Sequence, residues 1–424
     1  MKNTPVWRIV SYFATIALCF GLATGIAGIP VAFYLKDVLK LSPQEMSRYG
    51  ALLSIPSYVG FLLGYLRDQW KPLGKHWGDR GYFAVAPPVT AACYLFLASG
   101  ELSYNRLVTT LLICGVSNGL TGVALGGFMA ATARQHAMTG RLTSAFMFIN
   151  MVPGIIASLA GGWLTTHVRP QHVFFCSAFF SLVLVGLAFW KPVFVAPLEE
   201  LEPAAEYEAA LETLPGLKDQ FKSVAFWCAF ILVILWNFCP GWGTPVFFQL
   251  TNKVKLTQQE FGNYSAIVPG FIMLGTILYS ALCRWMSLSR LLWIGTILGI
   301  ATNGLFLLIH SPLQAYLVAA LLGFLLGMAN SAFMDLAMRT YLKGREGIAG
   351  ALVGTGGSIA GVTSDLFGAW LYEKGGFGLA LGISTVFTAL ILVVLPFIPH
   401  HIRQPKEGEQ GTLSLPATAV APAT

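Results

Sequence analysis

From Val6 to Ile398 the chain alternates long apolar stretches with short polar ones, and twelve of the apolar stretches are long enough to cross a bilayer. Backbone groups inside hydrocarbon have no water to bond, so each stretch is predicted to be a helix, with about 20 residues crossing the core. Spans 1 to 6 are predicted over residues 6–35, 44–66, 80–99, 106–131, 141–165 and 171–194. Spans 7 to 12 follow over 223–251, 260–283, 289–309, 312–341, 347–372 and 376–398. The expected fold is all-α: residues 1–194 make one six-helix bundle and residues 223–398 a second. Between them, residues 195–222 carry Glu199, Glu200, Glu202, Glu206, Glu208 and Glu212 with several Pro, the composition of a solvated linker. Residues 399–424 have little to bury and read as a disordered tail.

Charge adds orientation. An even number of spans returns both termini to one side, and 18 of the 26 Lys and Arg residues fall in the tails or in the loops on that side. The positive-inside rule therefore predicts cytoplasmic termini. The net charge of +7 does not point to nucleic acid, because the basic residues are scattered singly rather than clustered with aromatics. The first span is longer than the roughly 7 to 15 apolar residues of a signal-peptide core and has no small-residue cleavage site, so it is expected to stay. Short loops without a long extracellular segment suit a bacterial inner membrane.

Chemistry is sparse. All seven Cys lie inside apolar stretches without metal-ligand spacing, so neither a metal nor a cofactor is expected. No His-Glu-x-x-His, Gly-x-Ser-x-Gly or phosphate-cradling Gly-x-x-x-x-Gly-Lys stretch occurs, and the His residues sit in loops or at span ends. The chain does not read as an enzyme.

The two halves repeat each other. Gly122, Phe128-Met129, Arg134, Gly140-Arg141 and Gly161-Gly162-Trp163-Leu164 are echoed in order by Gly327, Phe333-Met334, Arg339, Gly344-Arg345 and Gly368-Ala369-Trp370-Leu371, which points to duplicated domains. After span 2 comes Gly64-Tyr65-Leu66-Arg67-Asp68. Span number, repeat and this loop together resemble the major facilitator superfamily, although Gln69 stands where a basic residue is expected. The resemblance implies two pseudo-symmetric six-helix bundles, with spans 1, 4, 7 and 10 lining a central cavity and spans 2, 5, 8 and 11 beside them. It also implies that Gly64 admits a neighbouring helix, and that Arg67 and Asp68 help close a cytoplasmic gate, Asp68 facing the positive end of span 11 near Gly347. The plainer reading is a pair of solvated loop charges.

Within that superfamily, Pro240, Phe247-Phe248, Thr251-Asn252, Thr257 and Phe261-Gly262 resemble the folate-biopterin transporter family, as does Gly344-Arg345-Glu346-Gly347 ahead of Ala351-Leu352. The resemblance implies a monomeric secondary active transporter that moves a small folate- or pterin-like solute by alternating access, with proton coupling. Residues 127–134 lack the acidic residues usual in that family, which weakens the case for a carboxylate reading a pterin there. Two alternatives stay open: a proton-coupled transporter of a sugar, peptidoglycan fragment or drug, and a non-transporting receptor or assembly factor on the same fold.

Polar side chains at midplane are costly unless they face a cavity or a partner. Asn118, Asn150, Asn237 and Asn330 lie near the centres of spans 4, 5, 7 and 10, and each offers both donors and an acceptor to a neutral solute. Trp236 and Trp242 flank Asn237 and could stack on a flat ring. The competing reading makes the Asn residues helix bridges, worth about 0.6 kcal/mol each, and the Trp residues packing or interface anchors. Among carboxylates, Asp335 has Arg339 four residues on, the spacing of a structural ion pair. Asp365 has no basic residue three or four positions away. It reads either as a proton site or, slightly favoured, as half of an extracellular gate with Arg48. Gly350, Gly354, Gly356, Gly357 and Gly361 in span 11, with Gly154, Gly161 and Gly162 in span 5, are expected to let the halves slide where they meet.

Overall fold

The computed structural model describes residues 6–74, 77–135, 139–190, 223–283, 285–340 and 346–399, with the backbone alone at 6, 68, 130–135, 139–150, 346–349 and 351. The predicted linker and the tail from residue 400, Gly344 and Arg345, and the side chains of Asp68, Arg134, Arg141 and Asn150 thus lie outside the described residues. Eight of the described helices are long and apolar enough to cross a membrane. The last, Leu352–Phe397, holds two passes, because Gly376 leaves helical geometry at φ 74°. Span 5 is Thr139–His167. Spans 2 and 7 are built in pieces: Pro43–Leu53, Ile55–Tyr58 and Gly60–Gln69 for one, and Val224–Asn237 with Thr244–Phe248 for the other. The described residues therefore trace twelve passes, in two groups of six.

Each group buries its own core. In the first, Phe13, Ile16, Tyr82 and Leu125 pack with Phe128, and Tyr94, Leu97 and Leu107 with Phe174. In the second, Leu232, Leu292 and Phe333 form one cluster and Leu250, Ala319 and Leu322 another. Large apolar side chains such as Phe96, Phe179, Leu317 and Val393 are exposed outside these cores, as a lipid-facing surface requires.

A second repeat, stronger than the one read from sequence, joins the first hairpin of each bundle. Gly28-Ile29-Pro30-Val31 through Leu41-Ser42-Pro43-Gln44-Glu45 matches Gly243-Thr244-Pro245-Val246 through Leu256-Thr257-Gln258-Gln259-Glu260 without a gap. The structures match as closely. Each helix ends in a π-turn, Tyr34–Val38 or Gln249–Lys253, followed by a lysine with positive φ, 56° at Lys40 and 59° at Lys255. Leu41 N–H then donates back to Leu35 O, and Leu256 N–H to Leu250 O, both at 3.0 Å, closing the helix end. Ser42 with Glu45, and Thr257 with Glu260, form capping boxes that start the next helix.

The bundles meet through the glycine of span 5. There Gly162 lies so close to Gly262 of span 8 (Gln258–Leu282) that a Cβ on Gly262 would fall 2.8 Å from Gly162 Cα and from Ser158 O. The glycines of span 11 behave differently from expectation. Gly356 faces Phe230, Gly357 faces Asn237 and Val233, and Gly368 lies against the carbonyl of Pro240, all partners on span 7 of the same bundle.

At the face opposite the termini, the halves are sealed by aromatic rings. Phe33 of span 1 packs edge-on against Phe247 of span 7 at 5.3 Å and Phe261 of span 8 at 5.9 Å, and Phe248 lies 6.3 Å from Tyr372 of span 11. Gln44 N–H donates to Glu373 Oε1 at 2.9 Å, across spans 2 and 11.

Candidate functional site

Span 7 unwinds between Asn237 and Thr244, a stretch carrying Pro240, Gly241 and Gly243 ahead of Pro245. Prolines remove donors and glycine admits the φ of 69° at Gly243, so the sequence there cannot hold an α-helix. Broken backbone is tolerated at membrane depth only where neighbours satisfy its polar groups. Two side chains do so. Ser384 Oγ of span 12 accepts from Gly241 N–H, Asp365 Oδ1 of span 11 accepts from Thr244 N–H at 2.7 Å, and Asp365 Oδ2 accepts from Thr244 Oγ1 at 2.8 Å. The Asp365 carboxylate also faces the positive end of Thr244–Phe248, which adds to its hold on this segment. Asn303 of span 9 (Leu288–Leu305) fixes the intervening Trp242, whose Nε1–H donates to Asn303 Oδ1 at 2.9 Å.

The unwound turn opens a cavity of about 270 Å³ inside the second bundle. It is lined by Trp236, Asn237, Trp242 and Gly243 of span 7, by Gly299, Thr302 and Asn303 of span 9, and by Gly361, Ser364 and Asp365 of span 11. Leu326 and Thr388 complete it from spans 10 and 12. Two lining residues, 1% and 2% exposed, each hold a buried polar atom without a partner, Asn303 Nδ2 and Ser364 Oγ. Asn237 reaches the cavity with its amide nitrogen already donating to Val233 O at 2.8 Å, which leaves its carbonyl oxygen open.

Of the residues singled out from sequence, the structure thus gathers Trp236, Asn237, Trp242 and Asp365 around one space. Others lie elsewhere. Asn118 accepts from Thr90 Oγ1 at 3.4 Å, between spans 4 and 3, and Asn330 is exposed on span 10 outside the cavity. Arg48 is exposed and has no ion-pair partner among the described residues, while Asp365 is occupied by Thr244. Asp335 and Arg339 do pair, at 3.0 and 2.9 Å, with Tyr279 OH donating to Asp335 at 2.7 Å, so they tie span 10 to span 8.

After span 2, no group stands within 4 Å of where a Cβ on Gly64 would be. Arg67 instead binds Asp79 of the following loop with Nε at 3.0 Å and Nη2 at 2.6 Å, and Lys71 Nζ joins the same carboxylate at 2.9 Å. The Arg67 guanidinium lies flat against Gly127 of span 4, where any side chain would displace it. Sequence reasoning missed Asp79, which is 3% exposed, and Asn303. For Asn303 the signal was an amide near the C-terminal end of an apolar helix.

Two six-helix bundles joined at one face, with a broken span and a polar cavity inside the second, define a membrane protein of the major facilitator fold. The solved D-xylose-proton symporter superposes with a TM-score of 0.71 over 93% of this chain and 98% of its own, at 16% identity. The chain belongs to the BT1 family, whose sequence pattern matches residues 20–373. A protein of Synechocystis sp. described as a folate-biopterin transporter is 25% identical over 326 residues, 73% of this chain and 62% of its own length. A probable folate-biopterin transporter 2 of Arabidopsis thaliana is 25% identical over 194 residues, 44% of this chain and 38% of its own. The chain therefore spans less than two thirds of either relative.

Proposed function

We propose that the protein is a secondary active transporter that moves a small folate- or pterin-like solute across the membrane by alternating access. The observation that carries this reading is the polar cavity beside the broken span, in a chain of the BT1 family whose curated relatives are described as folate-biopterin transporters. With the termini in the cytoplasm of a bacterial cell, the aromatic seal stands on the outer side and the conformation faces inward. The substrate residues are Asn237, Trp236 and Trp242, with Asn118, Asn150 and Asn330 as further candidates. Coupling falls to Asp365: a proton on its carboxylate removes one acceptor and loosens its hold on Thr244, so protonation and movement of span 7 become linked. The Asp335–Arg339 pair, and Arg67 with Asp68, act on the gates, and Arg48 is the outer cation that Asp365 meets when the seal rearranges. The chain works as a monomer.

Uptake of labelled folate and of pterin into proteoliposomes, with and without an imposed proton gradient, tests this. Gradient-dependent accumulation of either compound is expected. Accumulation of neither, in vesicles that retain folded protein, would sink the substrate assignment and favour a receptor or a transporter of another solute.

A further inference from the structure

The cavity of the second bundle holds polar atoms that the protein itself leaves unused. Asn303 Oδ1 is committed to Trp242, so the amide is fixed with its Nδ2 pointing donors at nothing, in a side chain that is 1% exposed. A buried donor left this way is costly, and it is retained here in the wall of a cavity rather than in a packed core. Asp365 offers the opposite character. Its two oxygens have about four acceptor sites, of which Thr244 fills two. Ser364 Oγ, beside it in sequence and also unpartnered, adds a group that can donate or accept. Trp236 and Trp242 supply apolar ring surface to the same space.

Resting on the transport reading above, we infer that this cavity is the recognition site for a flat heterocyclic head group that presents a ring carbonyl next to ring and amino N–H donors. Asn303 Nδ2 donates to the carbonyl, and Asp365 accepts from the adjacent N–H groups. A cyclic amide–amidine edge, as in a pterin, matches this order of one acceptor and two donors. The volume decides how much of the solute enters. At about 270 Å³ the cavity falls just below the about 300–1,000 Å³ of sites that enclose whole drug-sized ligands, so it takes the ring head and leaves any charged tail in the opening between the bundles. This places solute recognition within one bundle, on spans 7, 9 and 11, and gives peripheral span 9 a direct part in it.

The test is calorimetric titration of the purified full chain with pterin and with lumazine, the analogue in which a carbonyl replaces the 2-amino group and reverses one donor. A site built to bond a substrate N–H rejects an analogue lacking it strongly. Wild type is expected to bind pterin at least about tenfold more tightly than lumazine. Asn303→Asp, which keeps the acceptor for Trp242 and removes the free donor, is expected to weaken pterin about tenfold or more. Asp365→Asn is expected to shrink the pterin-to-lumazine ratio toward one, because the amide can donate to the lumazine carbonyl. Gly361→Leu separates site loss from misfolding: a Cβ there meets nothing within 4 Å, so the side chain grows into the cavity. That variant is expected to melt no lower than wild type and to bind neither pterin nor folate. Wild-type binding of pterin with all three variants unchanged would overturn this inference alone and put the solute elsewhere between the bundles. Binding of neither pterin nor folate by wild type would overturn the transport reading along with it.

Discussion

The hairpin of spans 1 and 2 and that of spans 7 and 8 are built from one sequence pattern, yet only the second is broken open. Both carry Gly-x-Pro-Val, a π-turn, a lysine with positive φ and a capping box. In the first, the interruption before Gly28 is a turn at Ile26-Ala27 that keeps right-handed helical backbone angles at Ala27, and Ile29 stands where Thr244 stands in the second. The counterpart of Asp365 in span 5, by the pairing of Gly161 with Gly368, is Ser158. An apolar residue and a small hydroxyl thus occupy the positions in one bundle at which, in the other, a hydroxyl and a backbone N–H bond a carboxylate. The difference teaches that duplication supplies the scaffold and a few polar replacements in one copy supply the site.

The largest effect is expected where the two bundles differ most in clearance. A Cβ at Gly368 would overlap the carbonyl of Pro240, whereas one at Gly161 would lie 3.2 Å from Ile26 O. Gly368→Ala should cost about 3 kcal/mol or more and yield little monodisperse protein, while Gly161→Ala costs about 1 kcal/mol. Equal melting temperatures for the two variants would show that the contact of spans 7 and 11 is not held as described. Next comes Asp365→Asn, which should abolish gradient-driven accumulation while leaving counterflow exchange at a weakened pterin affinity, whereas Ser158→Ala should transport like wild type. Accumulation surviving in Asp365→Asn would move coupling to another group.

Backbone strain gives a smaller contrast. Gly243 has φ 69° and a Cβ there would meet Asp365 Oδ1, so Gly243→Ala should cost about 1–3 kcal/mol. Gly28 has open space, and Gly28→Ala should be neutral or stabilising by up to about 1 kcal/mol. Thermal unfolding of both variants checks the sign. The smallest and most symmetric effect belongs to the capping boxes: Ser42→Ala and Thr257→Ala should each cost about 1 kcal/mol. Unequal costs would mean that one of the shared turns is under load from the seal.

The spans could be read from the sequence because lipid leaves the backbone only one local solution. The ion pair of Asp335 and Arg339 was readable for a similar reason, since i,i+4 spacing is a local property of a helix. The break in span 7 was signalled by Pro240, Gly241, Gly243 and Pro245, but of these only Pro240 was read, as part of a family resemblance that hid its structural meaning. The repeat of Gly28–Tyr49 in Gly243–Tyr264 was present in the letters and appears only when the first hairpin is set against the seventh span. Asn303 and Asp79 could not be assigned partners from sequence, because Trp242 and Arg67 lie 61 and 12 positions away.

The sequence by itself determined that this chain crosses a membrane many times, as two related sets of helices. Hydrophobic length and backbone satisfaction are settled within each segment, without reference to the others. Only the tertiary structure decided which polar groups share a space: Asp365 with Thr244, Asn303 with Trp242, and Phe33 with Phe247 and Phe261 across the two bundles. Those pairings depend on the crossing and rotation of helices distant in the chain, set by glycine contacts such as Gly162 on Gly262, and no local pattern encodes them.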